Sequence, residues 1–428
     1  MASSMFSGMF EWLSFLRSYL LGNLMLKKKK KFAKPAIEQL FKSKQRTRTE
    51  PKKPGEGEFA FYNSSSRPEF EIYRTLLNAW ISELPANVRA EIVPRMQKGD
   101  NLGYQAALAE LTIHAALIRQ GYTVEVHPTC GHPTYRPDFL VRTKEDGYVV
   151  AFVEVTTFGP AEEHVSQSKR EADIYNAIDR AKMPAGFRLG YDVVDYGKKT
   201  PKLTQLVGAI ESWAAANTQD KAVIPPTRVF ESDDWKIELK LFAGFKKDVV
   251  PTRAIAAAMG DVRIAEPRLE IRDALETKGK RYGVFEAPYV IVMADCKGEL
   301  VGGDHNMEAL NEALFGSIGF QMTAYADGTH KAEQIRNADG YWWNGEKAIH
   351  ANVSAAVLLP RPHLWDLRNE RWQPIILRNP WATYPLDESR LPLPGGRYNL
   401  ENQKFENIEG TRLADMLQLP AVWPPEVA

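Results

Sequence analysis

The chain has 428 residues, of which 44% are hydrophobic and 25% charged, which is the composition of a globular protein and excludes a fibrous or wholly disordered one. Two cysteines, Cys130 and Cys296, are too few for a disulfide framework and suit a reducing, cytoplasmic setting. The net charge of +1 conceals an asymmetry: residues 1–55 carry 13 Lys and Arg against 3 Glu, leaving 42 basic and 51 acidic residues for the rest. A basic tail on an acidic body suits nucleic acid or an anionic surface as the partner of the tail.

In chain order, residues 5–26 are apolar but hold Glu11 and Arg17. A spanning helix needs ~20 apolar residues, and a central charge costs roughly 2.5–3.5 kcal/mol. The pattern fits an amphipathic helix that, with Lys27 to Lys31 (residues 5–31 together), contacts an anionic membrane surface or a protein partner. Residues 42–58 are polar and Pro/Gly-bearing, hence a linker. They complete a basic N-terminal segment over 1–58, with the folded body starting near Phe59. Helical spacing of Ile72, Leu76, Leu77, Trp80 and Ile81 predicts helix over 68–98, and a second helix is expected over 102–120, closed by Gly121.

Strands are expected at 122–127, 136–142 and 148–157, the last two joined by the turn Lys144-Glu145-Asp146-Gly147. A charged helix over 161–182, a strand at 187–195, a helix at 202–216 and an alternating strand at 235–243 follow. Helix 268–282 precedes Pro288 to Ala294, which has the composition of a fully buried strand, and 307–316 is helical. The C-terminal quarter alternates short strands with Pro-, Trp- and Gly-rich turns, its tryptophans forming a core.

The chemistry-bearing pattern is Pro137-Asp138 opening one strand and Glu154 within the next. A short antiparallel connection brings these carboxylates together at one sheet edge, where a divalent cation or a shared proton must offset their repulsion. Glu110 lies on the helix just upstream, with His114 four residues on along the same face, either a hydrogen-bond-satisfied core histidine, the commoner case, or a proton-transfer group beside the site. Hydrolysis of a phosphodiester needs an activated water, a stabilised phosphate and a neutralised leaving oxygen, and Mg²⁺ (or Mn²⁺) on carboxylates serves all three.

Here the chain resembles the PD-(D/E)xK nuclease superfamily, whose pattern is Pro-Asp, then Glu-x-Lys, in a helix-strand-strand-strand-helix-strand core. Residues 102–158 cover it up to the third strand. Glu154-Val155-Thr156 matches in part, with threonine where the family's lysine belongs. Some members place that lysine on the following helix, and two residues qualify here, Lys169 and Lys278. Lys278 is preferred: Lys278 and Tyr282 are four apart and so share a helix face before the buried strand. That pair is similar to the Q-xxx-Y motif of the exonuclease-like branch.

Shorter fragments are similar to uncharacterised bacterial proteins: Arg136 to Phe139, Glu154 to Thr156, Lys278 to Gly283, Ala313 to Ser317 and Asn379 to Ala382, spread over most of residues 70–385.

The resemblance implies an α/β fold with a central mixed sheet flanked by helices. The core would span 59–320, interrupted by an insertion at 160–265, and a C-terminal lobe would occupy 321–428. It implies Mg-dependent hydrolysis of DNA: Asp138 and Glu154 would hold the metal, Glu110 would be a third ligand or position a metal-bound water, Lys278 would stabilise the phosphate and Tyr282 would orient it. The rival expectation is an inactive nuclease fold that binds nucleic acid or a protein partner. Two lesser candidates are a zinc set of His127, Cys130 and His132, and a second Glu-x-Lys at Glu238 and Lys240.

Overall fold

The computed structural model describes residues 39–98, 101–130, 132–159, 162–218, 224–245, 253–258, 266–283, 285–326, 328–399 and 404–424. It divides into two units, Met1–Gln39 and Leu40–Ala428. The expected N-terminal amphipathic helix and its lysine run lie outside the described residues. Among those described, no helix is long and apolar enough to cross a membrane.

The second unit begins at Leu40, earlier than the composition of 42–58 suggests. Leu40 and Phe41 are buried, Arg46 donates to the Asn63 carbonyl at 3.0 Å, and Arg48 pairs with Glu56. Guanidinium groups satisfied by backbone oxygens pin this polar stretch to the body.

Four helices follow: α1 (Glu58–Ser64), α2 (Pro68–Glu83), α3 (Ala86–Gln97) and α4 (Asn101–Arg119). The single helix expected over 68–98 is two, because Leu84 is extended (φ −73°, ψ 151°) ahead of Pro85. A proline ring crowds the preceding residue out of the helical region. Helix α4 is buried along most of its circumference, which fits its place between α2, α3 and the sheet.

The main sheet has eight strands in the order β1-β2-β3-β8-β11-β12-β13-β14. They are β1 (Thr123–Val126), β2 (Phe139–Arg142), β3 (Val149–Phe158), β8 (Tyr289–Asp295), β11 (Ala355–Pro360), β12 (Ile375–Arg378), β13 (Gly395–Asn399) and β14 (Lys404–Ile408). β1, β2 and β3 form an antiparallel meander, while β8 lies parallel to both β3 and β11. Every residue of β8 is buried. Val290, Val292 and Ala294 join the core under α4, and Tyr289, Ile291 and Met293 join the core on the other face. Helices α7 (Pro267–Gly279) and α8 (Asp304–Phe315) cover that second face. A parallel central strand with helices on both sides is apolar along its covered length, hence the hydrophobic run from Tyr289 to Ala294 ahead of Asp295.

Between β3 and α7 lies a second sheet with its own core. It comprises α5 (Glu162–Ile178), β4 (Arg188–Asp195), α6 (Leu203–Ala216), β5 (Thr227–Ser232), β6 (Trp235–Phe242) and β7 (Ile255–Ala258), with strand order β5-β6-β4-β7. Trp235, Ile237, Leu239 and Leu241 face Ile174, Ile178 and Ile210, whereas the alternate residues of β6 face outward. The hairpin β9 (Ile318–Ala324) and β10 (His330–Arg336) stands apart, with Phe320 and Met322 exposed.

The residues expected as a separate C-terminal lobe instead supply four strands of the main sheet. The run Ala355–Pro360 is buried at every position and so needs a neighbour on each edge, which β8 and β12 provide. Trp342, Trp372 and Trp381 do sit in or against a core, the one over α7 and α8, and α9 (Leu413–Met416) closes the α4 side.

Candidate active site

The β2–β3 register sets the site. Phe139 pairs with Val153, so Asp138 and Glu154, one step further along, fall opposite each other on the same face. Asp138 caps that step: its Oδ2 accepts the Val155 N–H at 2.7 Å. Glu154 points to the α7 side and is 3% exposed.

The end of α7 meets it there. Lys278 Nζ donates to Glu154 Oε1 at 2.5 Å, and the Tyr282 hydroxyl donates to Oε2 at 2.6 Å. The backbone carrying the lysine is fixed from two directions, by Tyr289 donating to the Lys278 carbonyl (3.2 Å) and Asn352 to that of Gly279 (2.7 Å). A Cβ at Gly279 would lie 1.9 Å from the Tyr341 hydroxyl, so only glycine lets the helix end approach this closely. The helix ends at Gly279, short of the expected 282, so Tyr282 lies in the bend that follows, and Gly283, at φ +76°, turns the chain onward from it. Tyr282 thereby positions the Glu154 carboxylate, a different contact from the phosphate expected of it.

Glu110 arrives from α4. Its carboxylate lies 2.5 Å from Arg95 Nη2 on α3. Glu110, Arg95, Glu91, His114, His127 and Asp138 line a cavity of about 20 Å³, room for about one water molecule. Burial, then the charges of Glu154 and Glu110, hold the Asp138 carboxyl well above the usual carboxylate range. Burial also raises Glu110, opposed by Arg95 and His127 and assisted by Glu154. Asp138 at the rim is therefore the link between two groups: Glu154 with Lys278 and Tyr282, and Glu110 with Arg95.

The sequence reading missed Arg95 and Glu91. The signal was present, since Val88, Glu91, Ile92 and Arg95 recur at helical spacing and place two charges on an otherwise apolar face. Lys169, the alternative lysine, is exposed on α5.

His132 Nδ1 accepts the backbone N–H groups of Thr134 and Tyr135, and the Cys130 thiol donates to the Tyr135 carbonyl, so both residues shape a loop. The Glu238 and Lys240 side chains pair with each other at 3.0 Å on the second sheet.

His114 is a core residue, as expected, but not the hydrogen-bond-satisfied one expected. It is 2% exposed, lies against Phe139 (ring centroids 5.8 Å) and has Nδ1 without a hydrogen-bond partner among the described residues. Burial pushes its pKa from 6.5 down to about 4. The unfolded chain binds a proton near the upper value and the fold refuses it until the lower one. Stability is thus complete above that window and falls by up to roughly 3 kcal/mol as pH drops through it. His114→Leu should remove that part of the acid sensitivity, which melting temperatures measured across pH 7 to 4 will show as a flatter profile.

Among the described residues, no group of three or more His, Cys, Asp or Glu side chains is close enough to hold a metal ion. The pair Asp138 and Glu154 nevertheless fits a hard divalent cation by chemistry. Mg²⁺ is held through one or two carboxylates while keeping several waters, and Asp138 Oδ1 has no hydrogen-bond partner among the described residues. The like charges that push the Asp138 carboxyl upward are also those a cation would offset.

Comparisons with protein families, with curated proteins and with solved structures gave no match.

Proposed function

We propose that this chain is a Mg²⁺- or Mn²⁺-dependent nuclease acting on DNA through a PD-(D/E)xK-like site. The observation that carries the reading is the contact of Lys278 with Glu154 across 124 residues of sequence. A lysine absent from the strand is supplied to the same carboxylate by the next helix of the main fold. The element order α4-β1-β2-β3, then α7-β8 with β8 parallel to β3, agrees with the superfamily's core and supports the reading.

In this scheme Asp138 and Glu154 would hold the ion. When bound, the ion supplies a water of lowered pKa and positive charge for the phosphate and leaving oxygens. Lys278 offsets the Glu154 charge and presents a point charge to the attacked phosphate. Tyr282 locks the Glu154 carboxylate in one orientation. Glu110, held by Arg95 across the small cavity, accepts a hydrogen bond from a water there and keeps it beside Asp138.

A second reading has one observation in its favour. Both Glu154 oxygens already have donors, as they would in an inactive scaffold that binds nucleic acid or a protein partner. The two are separated by Mn²⁺ titration calorimetry and cleavage of labelled DNA. A nuclease should bind the ion and cut only in its presence, and Glu154→Gln should lose both properties. A full chain that neither binds Mn²⁺ nor cuts would leave only the scaffold.

A further inference from the structure

Beside the carboxylates stands a cation that the proposed chemistry does not use. Arg281, the residue before Tyr282, lies exposed with its guanidinium carbon 4.4 Å from the centroid of the Tyr135 ring and 6.0 Å from that of Tyr282. Its immediate neighbour Lys280 is paired with Glu276, but neither Arg281 nor the exposed Arg136 has a carboxylate partner among the described residues.

Tyr135 is itself held. Its backbone N–H donates to His132 Nδ1 at 3.0 Å, its carbonyl accepts from the Cys130 thiol at 3.2 Å, and the His132 ring lies 4.8 Å from its own. A loop built to fix an exposed tyrosine, which in turn covers an unpaired arginine, spends its order on orienting that guanidinium. Tyr135 is three residues ahead of Asp138, and Arg281 touches Tyr282, whose hydroxyl reaches Glu154, so the pair adjoins the carboxylates through the loop before β2 and the bend after α7.

We propose that Arg281, oriented by Tyr135 and assisted by Arg136, binds a backbone phosphate of the DNA strand next to the one being cleaved. This rests on the nuclease reading for the identity of the ligand. The chemistry is that of a planar fork donating two hydrogen bonds to a phosphate, with the aromatic face limiting its rotational freedom. Arg281 and Tyr135 are binding and positioning residues, not catalytic ones.

The test uses the full chain and fluorescein-labelled single-stranded and duplex oligonucleotides in EDTA, read by anisotropy over a salt series, with melting curves to confirm folding. Arg281→Ala should weaken binding about tenfold and reduce the slope of log affinity against log salt by about one. Arg281→Lys should restore the slope but only part of the affinity, and Tyr135→Ala should weaken binding without changing the slope. Lys280→Ala, a charge removed one residue away, should do little by comparison. In metal-supported cleavage, Arg281→Ala should raise KM and leave kcat near wild type.

Affinity and slope unchanged in Arg281→Ala, or no DNA binding by the wild type, would overturn the assignment. If the wild type cuts DNA in an Asp138-dependent way while Arg281→Ala binds normally, this inference falls and the nuclease reading stands. If binding depends on Arg281 but no metal supports cleavage, the phosphate contact of Arg281 stands and the nuclease reading falls.

Discussion

Asp138→Asn should abolish metal-dependent cleavage, by on the order of 10³-fold or more, and at the same time make the metal-free protein more stable. The two effects share one cause. Asparagine keeps an oxygen to accept the Val155 N–H and so preserves the local turn. It removes the charge that burial, Glu154 and Glu110 together oppose. Because the folded-state pKa is raised, this carboxyl favours folding when protonated, at low pH, and that contribution is lost as pH rises through the raised value. In EDTA at neutral pH the variant should therefore melt about 2 °C higher or more, whereas wild type should overtake it when Mn²⁺ is added, since the ion stabilises only a fold that binds it. Calorimetric melting with and without Mn²⁺, beside a cleavage assay, checks both halves. A variant that cuts as fast as wild type would remove Asp138 from the site. The same linkage predicts that wild-type activity rises as pH passes upward through the raised Asp138 value, because protonated Asp138 is a poor ligand.

Lys278→Met should cost about 3–5 kcal/mol of stability, the penalty for leaving a buried carboxylate without its cation. Glu154 is 3% exposed, and its other oxygen has only the neutral Tyr282 hydroxyl. The double variant Lys278→Met with Glu154→Gln should recover most of that loss, because replacing both members of a buried pair with neutral groups of similar shape removes the uncompensated charge. It should recover no cleavage. Urea unfolding of the three proteins gives the coupling directly. Equal stability of single and double variants would mean that the lysine contributes packing alone.

What the sequence disclosed follows from the range over which a pattern is local. The strand pair with Asp138 and Glu154 was legible because a tight turn fixes the register. Lys278 and Tyr282 were expected on one helix face, but the helix ends at Gly279, and the bend after it carries Tyr282 to Glu154. The unbroken apolar run of β8 marked a central strand. Arg95 was missed because the break at Leu84–Pro85 sits inside an otherwise helical stretch, and reading through it loses the direction in which α3 points. The order of β11 to β14 was not legible: strands of four to six residues, some buried at every position and others interrupted by glycine, show no alternation to assign their faces. The Tyr135–Arg281 contact joins residues even farther apart in sequence than the Glu154–Lys278 pair, and no periodicity reaches that distance. The family resemblance placed Lys278 as a candidate, and its contact with Glu154 emerged only in three dimensions.

The second sheet between β3 and α7 bears on how the protein is made. The carboxylate strands leave the ribosome long before the lysine helix and the β8 strand that seats it, and a floppy tether of 124 residues would make their meeting slow and entropically costly. A self-contained module in the middle shortens that tether to the gap between its own two ends. Until then Glu154 has neither its amine nor its cover. The nascent chain would pass through a stage with a naked acidic rim, and charge at an unfinished sheet edge discourages pairing with other chains.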